Sequence, residues 1–207
     1  AASGGIWKTT NSGASWSVLN TDVQLARLGI SDIQIDPVPS ASGSPIIYAA
    51  TGDVDGGITF SDGIYRSEDG GRTWLPINDN LFNQQTNLME LVYSILIDNA
   101  PGSSTMYAAT SLGFYKCTNR FSSVPHWDKV YPATGNELIS SIIFKPGTGN
   151  TELFAAGVNI IHSSSSGNIN TWTSIATSTS GLDLTNTPLA NAFPGKFAKT
   201  KHPAKYG

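Results

Sequence analysis

Charge, cysteine and long apolar runs are all scarce in this sequence, and each shortage excludes a class of protein. Charged residues occupy only 13% of the 207 positions, about half of the usual share of roughly 25%. The single cysteine, Cys117, excludes an internal disulfide framework. No apolar run reaches the roughly 18 residues of a membrane-spanning helix, and no stretch of helical length is amphipathic. We therefore exclude membrane bundles, coiled coils and disulfide-stapled scaffolds.

The few charges are unevenly distributed along the chain. The formal net charge is −3, but residues 1–195 carry −7 and the last twelve residues carry +4. The negative charge of residues 1–195 repels the phosphate backbone of nucleic acids, so we expect no nucleic-acid partner. The basic tail is interpreted as a solvated terminus, with contact to an acidic surface as the alternative. No signal peptide is visible in this chain.

Glycine and proline are plentiful, at 21 and 11 residues, and they separate short strands that recur in a fixed order. Each repeat has an apolar strand, then a strand rich in small residues, then a hairpin that ends in tryptophan. The apolar strands lie at 33–37, 94–98 and 141–146, the small-residue strands at 47–51, 106–110 and 153–157, and the hairpins at 5–16, 63–74, 113–127 and 160–172. The four hairpin tryptophans are 58, 53 and 45 positions apart. Units of four short strands with this period are typical of β-propeller blades.

The repeats predict an all-β fold, a β-propeller of four-stranded antiparallel blades. About three and a half blades are expected in this chain, whereas propellers close with about four to eight. Ala1–Ser3 align with Ala49–Thr51, so the sequence is expected to begin inside a second strand and to form a partial propeller. The remaining blades are expected from missing sequence, another chain or a symmetric copy. The predicted ranges are 1–20 for the end of a first blade, 21–78, 79–132 and 133–177 for three further blades, and 178–207 for a partial strand and the basic tail.

The second hairpin, Ser67–Trp74, carries the sharpest motif. Asp69 can accept hydrogen bonds from the backbone N–H groups of its own turn. Gly71 supplies a positive φ without steric cost. Thr73 favours the strand, and Trp74 packs its indole across the hairpin.

The other hairpins repeat this motif with substitutions. In the first, Thr9, Asn11, Gly13 and Trp16 occupy the corresponding positions, and Asn11 can form the same turn as an aspartate. The third and fourth hairpins are longer and end in Trp127 and Trp172. We assign all of these residues to folding.

The Ser67–Trp74 motif resembles the Asp-box, or BNR repeat, Ser/Thr-x-Asp-x-Gly-x-Thr-Trp. The resemblance covers about residues 1–177 and implies a propeller of the sialidase, sortilin, photosystem-II assembly factor and xyloglucanase superfamily. The segments 4–13 and 49–53 are most similar to large secreted bacterial proteins, which implies a secreted or cell-surface location. In that superfamily the Asp-box is structural and lies on the blade periphery, away from the central channel where ligands bind.

A sialidase site is disfavoured by the arginine content. Such a site needs three arginines that grip a carboxylate. The chain has four, namely Arg27, Arg66, Arg72 and Arg120, and two of them belong to the peripheral hairpin. None is predicted on an inner strand.

A xyloglucanase-like site needs two carboxylates that flank the scissile bond. The resemblance implies Asp53 or Asp62 as one of them, although an insertion of about ten residues divides the family's motif here. No second acid can be placed. Asp53, Asp55 and Asp62 also suit a calcium ion as oxygen ligands; the favoured alternative is a glycine-rich turn in which these carboxylates cap backbone N–H groups. We expect no other cofactor.

The histidines and the cysteine form no recognisable catalytic or metal-binding pattern. His126, His162 and His202 are scattered without a cysteine or carboxylate at ligand spacing, which argues against zinc. Cys117 replaces the serine of the hairpin motif, and we expect it to be half-buried.

These observations favour a non-catalytic propeller scaffold or interaction module that binds a protein or a glycan through its loops. The first alternative is a xyloglucanase-like glycoside hydrolase whose catalytic pair lies partly outside this chain. The second is an assembly factor that binds a protein partner.

Overall fold

The computed structural model describes residues 4–52, 61–81, 91–157, 160–163 and 165–175. This part of the chain is almost entirely β-sheet. Its one helix, α1 (Thr21–Gln24), has four residues, and no helix there has the length and apolarity needed to cross a membrane. The strands are β1 (Trp7–Lys8), β2 (Ser17–Val18), β3 (Ile30–Ile35), β4 (Ile47–Thr51), β5 (Ile64–Ser67), β6 (Leu75–Pro76), β7 (Val92–Ile97), β8 (Met106–Thr110), β9 (Gly113–Cys117), β10 (Trp127–Tyr131), β11 (Ile139–Phe144), β12 (Leu153–Gly157), β13 (Ile160–Ser163) and β14 (Trp172–Ser174).

The strands form antiparallel meanders in which each strand pairs with its neighbour in the sequence. Three sheets have four strands, β3–β6, β7–β10 and β11–β14, and β1 pairs with β2 in a fourth, two-stranded sheet. We call these the second, third, fourth and first blades, with β1–β2 as the first. The prediction of an all-β, partial β-propeller built from four-stranded antiparallel blades is confirmed.

The first strand of each complete blade carries a bulge near its beginning. The register shifts lie at Ile30/Asp32, Val92/Ser94 and Ile139/Ser141. A bulge inserts one extra residue and increases the local twist. Its recurrence at one repeat position shows that the three blades share geometry as well as sequence period.

The core lies between the blades. One cluster joins the first and second blades and includes Ile6, Leu25 and Trp74. A second cluster joins the second and third blades and includes Tyr48, Ile95 and Trp127. A third cluster joins the third and fourth blades and includes Tyr107, Phe114 and Ile142. All residues of β4 and of β8 are buried. Strands covered on both faces read as continuous apolar runs, and the alanine pairs allow the sheets to approach closely.

Cys117 differs from its expected half-buried state. Its side chain is fully buried, because β9 packs it into the cluster between the second and third blades. Burial is the main reason that the pKa of the Cys117 thiol is raised. A reactive thiolate is therefore disfavoured at this position.

Two inner-strand isoleucines are exposed where their repeat equivalents are buried. Ile33 and Ile35 of β3 are 41% and 65% exposed. The equivalent Ile95 and Ile97 of β7 are 1% and 7% exposed. The difference arises because β7 packs against β3 of the preceding blade, whereas the first blade has only its two outer strands among the described residues.

Candidate functional site

The Ser67–Trp74 hairpin of the second blade is closed by its own side chains. Asp69 Oδ1 accepts hydrogen bonds from the backbone N–H groups of Arg72 and Thr73, both at 2.9 Å, and from the Ser67 hydroxyl at 2.9 Å. The Thr73 hydroxyl donates to Asp69 Oδ2 at 2.7 Å, and the Gly71 N–H donates to Ser67 Oγ at 2.8 Å. Burial acts to raise the pKa of Asp69, but these hydrogen bonds outweigh it and lower the pKa to about 2.

Asparagine takes the place of Asp69 in two other hairpins. Asn11 Oδ1 accepts from the Ser15 N–H at 2.9 Å, and the Gly13 N–H donates to Thr9 Oγ1 at 2.9 Å. In the third blade, Asn119 Oδ1 accepts from the backbone N–H of His126 at 2.9 Å. In both hairpins an uncharged amide oxygen therefore accepts a hydrogen bond from the backbone N–H of the residue before the tryptophan, as Asp69 does. The fourth hairpin is tied differently, by the hydroxyls of Ser163 and Thr171 at 2.6 Å.

The hairpin tryptophans connect neighbouring blades. Trp74 is 4% exposed, and its indole N–H donates to the carbonyl of Leu19, just after β2 of the first blade, at 2.8 Å. Trp127 is fully buried, and its indole N–H donates to the carbonyl of Ile77, just after β6 of the second blade, at 2.7 Å.

The other two tryptophans depart from this pattern. Trp172 packs edge-on against Phe114 of the third blade with ring centroids 4.7 Å apart, but its buried indole N–H has no partner in the described part of the chain. Trp16 is 58% exposed.

A buried ion pair, which the sequence analysis missed, joins the second and third blades. Arg120 and Asp36 have side chains that are 1% and 0% exposed. The guanidinium donates to both carboxylate oxygens, at 2.7 and 3.3 Å, and to the carbonyls of Ser103 and Thr105. The Tyr48 hydroxyl also donates to Asp36 at 3.3 Å. Burial, followed by the nearby charge of Asp36, raises the pKa of Tyr48.

A sequence signal for this pair existed in the repeat. Asp36 and Asp98 both follow the first strand of their blades. Asp98 likewise accepts a hydrogen bond from the next blade, from the amide of Asn150 at 2.7 Å. The repeated aspartate therefore marks an inter-blade contact.

Arg66 is likewise engaged inside the protein. It is 5% exposed, and its guanidinium donates to the carbonyls of Arg120 and Ser122 in the third blade. It also pairs with Glu68 at 2.9 Å. Neither Arg66 nor Arg120 is therefore accessible for gripping a ligand carboxylate.

Asp62 lies two residues before β5 and is held in place by hydrogen bonds. Its backbone N–H donates to Thr51 Oγ1 at 2.8 Å, and its carbonyl accepts from the amide of Asn78 at 2.9 Å. The Tyr65 hydroxyl donates to the Asp62 carboxylate. Burial first, then the hydrogen bond to Asp62 and its charge, raise the pKa of Tyr65 to about 12, against a smaller opposite effect of a hydrogen bond with the backbone of Ala26. Tyr65 thus stays a protonated donor that orients Asp62.

The other candidate carboxylates of this loop, Asp53 and Asp55, lie outside the described residues. In the described part, no three histidine, cysteine or carboxylate side chains meet as a possible metal centre. The calcium site over Asp53, Asp55 and Asp62 stays a prediction.

Two histidines have carboxylate partners that sequence spacing did not reveal. His126 Nδ1 lies 2.6 Å from Asp79 Oδ2, across a bridge between the exit of the second blade and the hairpin of the third. The hydrogen bond with Asp79 is the main reason that the pKa of His126 is raised. His162 Nε2 lies 3.0 Å from Glu152. His202 lies outside the described residues.

One solved structure with a similar fold is a GH74 enzyme. The chain matches an enzyme from Niastella koreensis with a TM-score of 0.58 and 21% identity, over 82% of this chain and 26% of that one. The fold is that of a β-propeller. The chain also matches an ancestral GH74 enzyme with a TM-score of 0.48 and 22% identity, over 70% of this chain and 18% of that one. No protein-family model and no curated protein matches the chain.

The match to the Niastella koreensis enzyme agrees with the propeller fold that the resemblance implies. The chain spans about a quarter of the length of that enzyme. At this level of identity the similarity shows the fold alone.

Proposed function

We propose that this chain is a non-catalytic propeller scaffold that presents its loops to a glycan. The observation that carries the proposal is that the aspartate and arginine side chains that could do chemistry make hydrogen bonds within the protein. Asp36, Asp69 and Asp98 accept hydrogen bonds in turns or across blades. Arg66 and Arg120 bind backbone carbonyls of the third blade. Side chains held in this way stabilise the fold and are not available for catalysis.

The proposed binding surface is the end of the blades where second strands finish and first strands begin. Backbone hydrogen bonds tie these loops together: the Gly52 N–H donates to Gly29, and the Ser111 N–H donates to Leu91, both at 2.9 Å. Asp62, two residues before β5, lies at this loop end. A glycan is preferred over a protein as the ligand because the Niastella koreensis protein with this fold is a GH74 enzyme.

Affinity electrophoresis tests this proposal. The chain is run in native gels that contain xyloglucan or another soluble β-glucan, beside gels without polysaccharide. We expect retardation that Asp62→Asn weakens. A matched control is Lys145→Ala, because Lys145 is exposed and follows β11 at the opposite end of the blades. Equal mobility in all gels, together with capture of a protein ligand in a pull-down from the native compartment, would favour a protein-binding scaffold.

A glycoside hydrolase is the second candidate, and the fixed position of Asp62 favours it. A carboxylate oriented by Tyr65 at the loop end suits an acid, base or nucleophile, and its partner carboxylate would lie partly outside this chain. This candidate predicts that Asp62→Asn abolishes sugar release, whereas Asp69→Asn, the same chemical change on the peripheral hairpin, preserves it.

Location and ions are part of the same proposal. We propose a secreted or cell-surface protein, supported by the Asp-box resemblance. Calcium at the loop of Asp53, Asp55 and Asp62 is proposed as an optional stabiliser. A rise in melting temperature on adding calcium, reversed by a chelator and lost in Asp55→Asn, would support it.

A further inference from the structure

The second and third blades join their middle strands through the same threonine–glycine contact. Thr51 ends β4 and Thr110 ends β8. The hydroxyl of Thr51 donates to the carbonyl of Gly63 at 2.8 Å, and the hydroxyl of Thr110 donates to the carbonyl of Gly113 at 2.9 Å. Eleven residues lie between the first pair in the sequence and two between the second, so the contact belongs to the repeat and does not depend on the length of the connection.

Asp62 and Leu112 occupy the same place in this contact, directly before the glycine. The backbone N–H of Asp62 donates to Thr51 Oγ1 at 2.8 Å, and the backbone N–H of Leu112 donates to Thr110 Oγ1 at 3.1 Å. Leu112 is buried. The second blade therefore carries a carboxylate at a backbone position where the third blade carries a buried apolar side chain.

The side-chain amide of Asn78 bonds to the backbone on both sides of Gly63. Its Oδ1 accepts from the backbone N–H of Ile64 at 2.7 Å, and its Nδ2 donates to the carbonyl of Asp62 at 2.9 Å. A Cβ on Gly63 would collide with this amide. Glycine at position 63 is therefore what allows the amide to approach the backbone of Asp62.

The third blade uses its backbone where the second blade uses the side chain of Asn78. Tyr131 occupies the repeat position of Asn78, four residues after the hairpin tryptophan, and its backbone pairs with Phe114. A Cβ on Gly113 would collide with the carbonyl of Tyr131. The amide of Asn78 thus takes the place of a strand backbone, and in that place it is bonded to the residue that carries the carboxylate.

The carboxylate of Asp62 meets a donor that is fixed by packing. The Tyr65 hydroxyl donates to it, and Tyr65 is buried in the cluster between the first and second blades. Thr51 bonds to the N–H of Asp62 and Asn78 bonds to its carbonyl. Loss of the Asn78 amide would release one side of the Asp62 backbone, and the carboxylate would then be free to leave Tyr65.

We propose that Asn78 is a positioning residue, whose amide holds the backbone of Asp62 so that the carboxylate meets Tyr65 and is oriented for a ligand. The ligand part rests on the proposed function, in which Asp62 lies on the glycan-binding surface. Side chains that bind a ligand keep their geometry when hydrogen bonds of neighbouring residues restrain them. Asn78 supplies that restraint without touching the ligand itself.

Proton NMR of the Tyr65 hydroxyl tests the positioning without a ligand. The signal is assigned by its absence from Tyr65→Phe, and its downfield position reports the hydrogen bond to Asp62. Asn78→Ala is expected to shift the signal upfield or abolish it, as Asp62→Ala does. An unchanged signal in Asn78→Ala overturns the proposal.

Asn80→Ala is the matched control for this measurement. Asn80 lies in the same segment, but its amide donates to the carbonyl of Trp127 in the third blade, at 2.8 Å. Its φ of 61° makes alanine costly there too, so the control also reports a general loss of stability. We expect the Tyr65 signal to stay in place in Asn80→Ala. Equal changes in both variants would show a general effect on the fold and overturn the proposal.

Asn78→Asp decides the question if Asn78→Ala does not fold. This variant keeps an oxygen that accepts from the N–H of Ile64, and it removes the donor to the carbonyl of Asp62. The same shift or loss of the Tyr65 signal is expected. A folded Asn78→Asp with the wild-type signal overturns the proposal.

Native gels that contain xyloglucan test the ligand part. Asn78→Ala is expected to raise the apparent dissociation constant about tenfold or more, because a small misplacement of a site residue has a large effect, whereas Asn80→Ala should match the wild-type chain. Wild-type retardation in Asn78→Ala overturns the ligand part. A wild-type chain that is not retarded contradicts the proposed function instead, and the Tyr65 signal then decides whether Asn78 positions Asp62.

Discussion

The indole of Trp74 donates to the carbonyl of Leu19 at 2.8 Å, across the boundary between the first and second blades. The backbone N–H of Trp74 also donates to the Gln24 side chain of the linker between these blades, at 2.9 Å. The tryptophan that ends this hairpin therefore joins the second blade to the first blade and to the linker between them. Its contribution to stability is expected to depend on the preceding blade.

Replacing Trp74 with alanine should destabilise the chain strongly. We expect a loss of about 3–5 kcal/mol, the usual range for a buried aromatic. Trp16→Ala at the same repeat position should cost less than about 0.5 kcal/mol in dilute, monomeric protein, because the Trp16 side chain is exposed. Urea unfolding of both variants measures the difference, and equal losses would show that the tryptophan acts within its own hairpin.

Asp69 should make stability depend on acid pH. Its folded pKa of about 2 lies below the ordinary value of 3.8, so the ionised carboxylate stabilises the folded state above about pH 4, and this contribution is lost as the pH falls through about 2. Asp69→Asn should flatten the pH dependence of the melting temperature over this range while keeping the turn, as Asn11 does. Asp69→Ala should cost about 1 kcal/mol or more at neutral pH. An unchanged acid profile in Asp69→Asn would contradict this role.

The buried pair of Arg120 and Asp36 should be far more sensitive than a surface pair. Asp36→Ala leaves the guanidinium buried without its counter-ion, which costs about 3–5 kcal/mol. Glu152→Gln removes the charge that pairs with Lys145 and His162 near the surface and should cost much less stability than Asp36→Ala. Chemical denaturation of the two variants compares them. A small loss of unfolding free energy in Asp36→Ala would mean that water hydrogen-bonds to the Arg120 guanidinium in place of Asp36.

Ile97 and Ile35 allow a comparison at one repeat position. Ile97→Ala should cost about 2–4 kcal/mol, because the side chain is 7% exposed and packed between blades. Ile35→Ala should cost about 0.5 kcal/mol or less, because Ile35 is 65% exposed. A large loss at Ile35 would show that it is covered in solution.

The strand content of the fold could be predicted because each blade repeats a short-range pattern. The small residues of β4 and β8, the turn glycines and the hairpin tryptophans are all local signals. Exposure could not be predicted in the same way. Trp16 and Trp74 are alike in sequence but differ in burial, because burial depends on a neighbouring blade and not on the hairpin itself.

The polar contacts between blades could not be predicted from the sequence. Arg120 and Asp36 are 84 positions apart, and nothing local pairs them. Arg66 directly precedes the Ser67–Trp74 hairpin, yet the carbonyls to which it donates belong to the third blade. Asp62 and Tyr65 are close in sequence, but their hydrogen bond could not be predicted. It depends on the backbone position of Asp62, which is held by Thr51 and Asn78.

The most direct test of the scaffold account is the release of reducing ends from xyloglucan and other β-glucans by the purified chain, followed over a day beside Asp62→Asn. The account predicts no release above the buffer blank for either protein, although the polysaccharide retards the chain in native gels. Release by the wild-type chain that Asp62→Asn abolishes would contradict the account and show that the chain is a glycoside hydrolase.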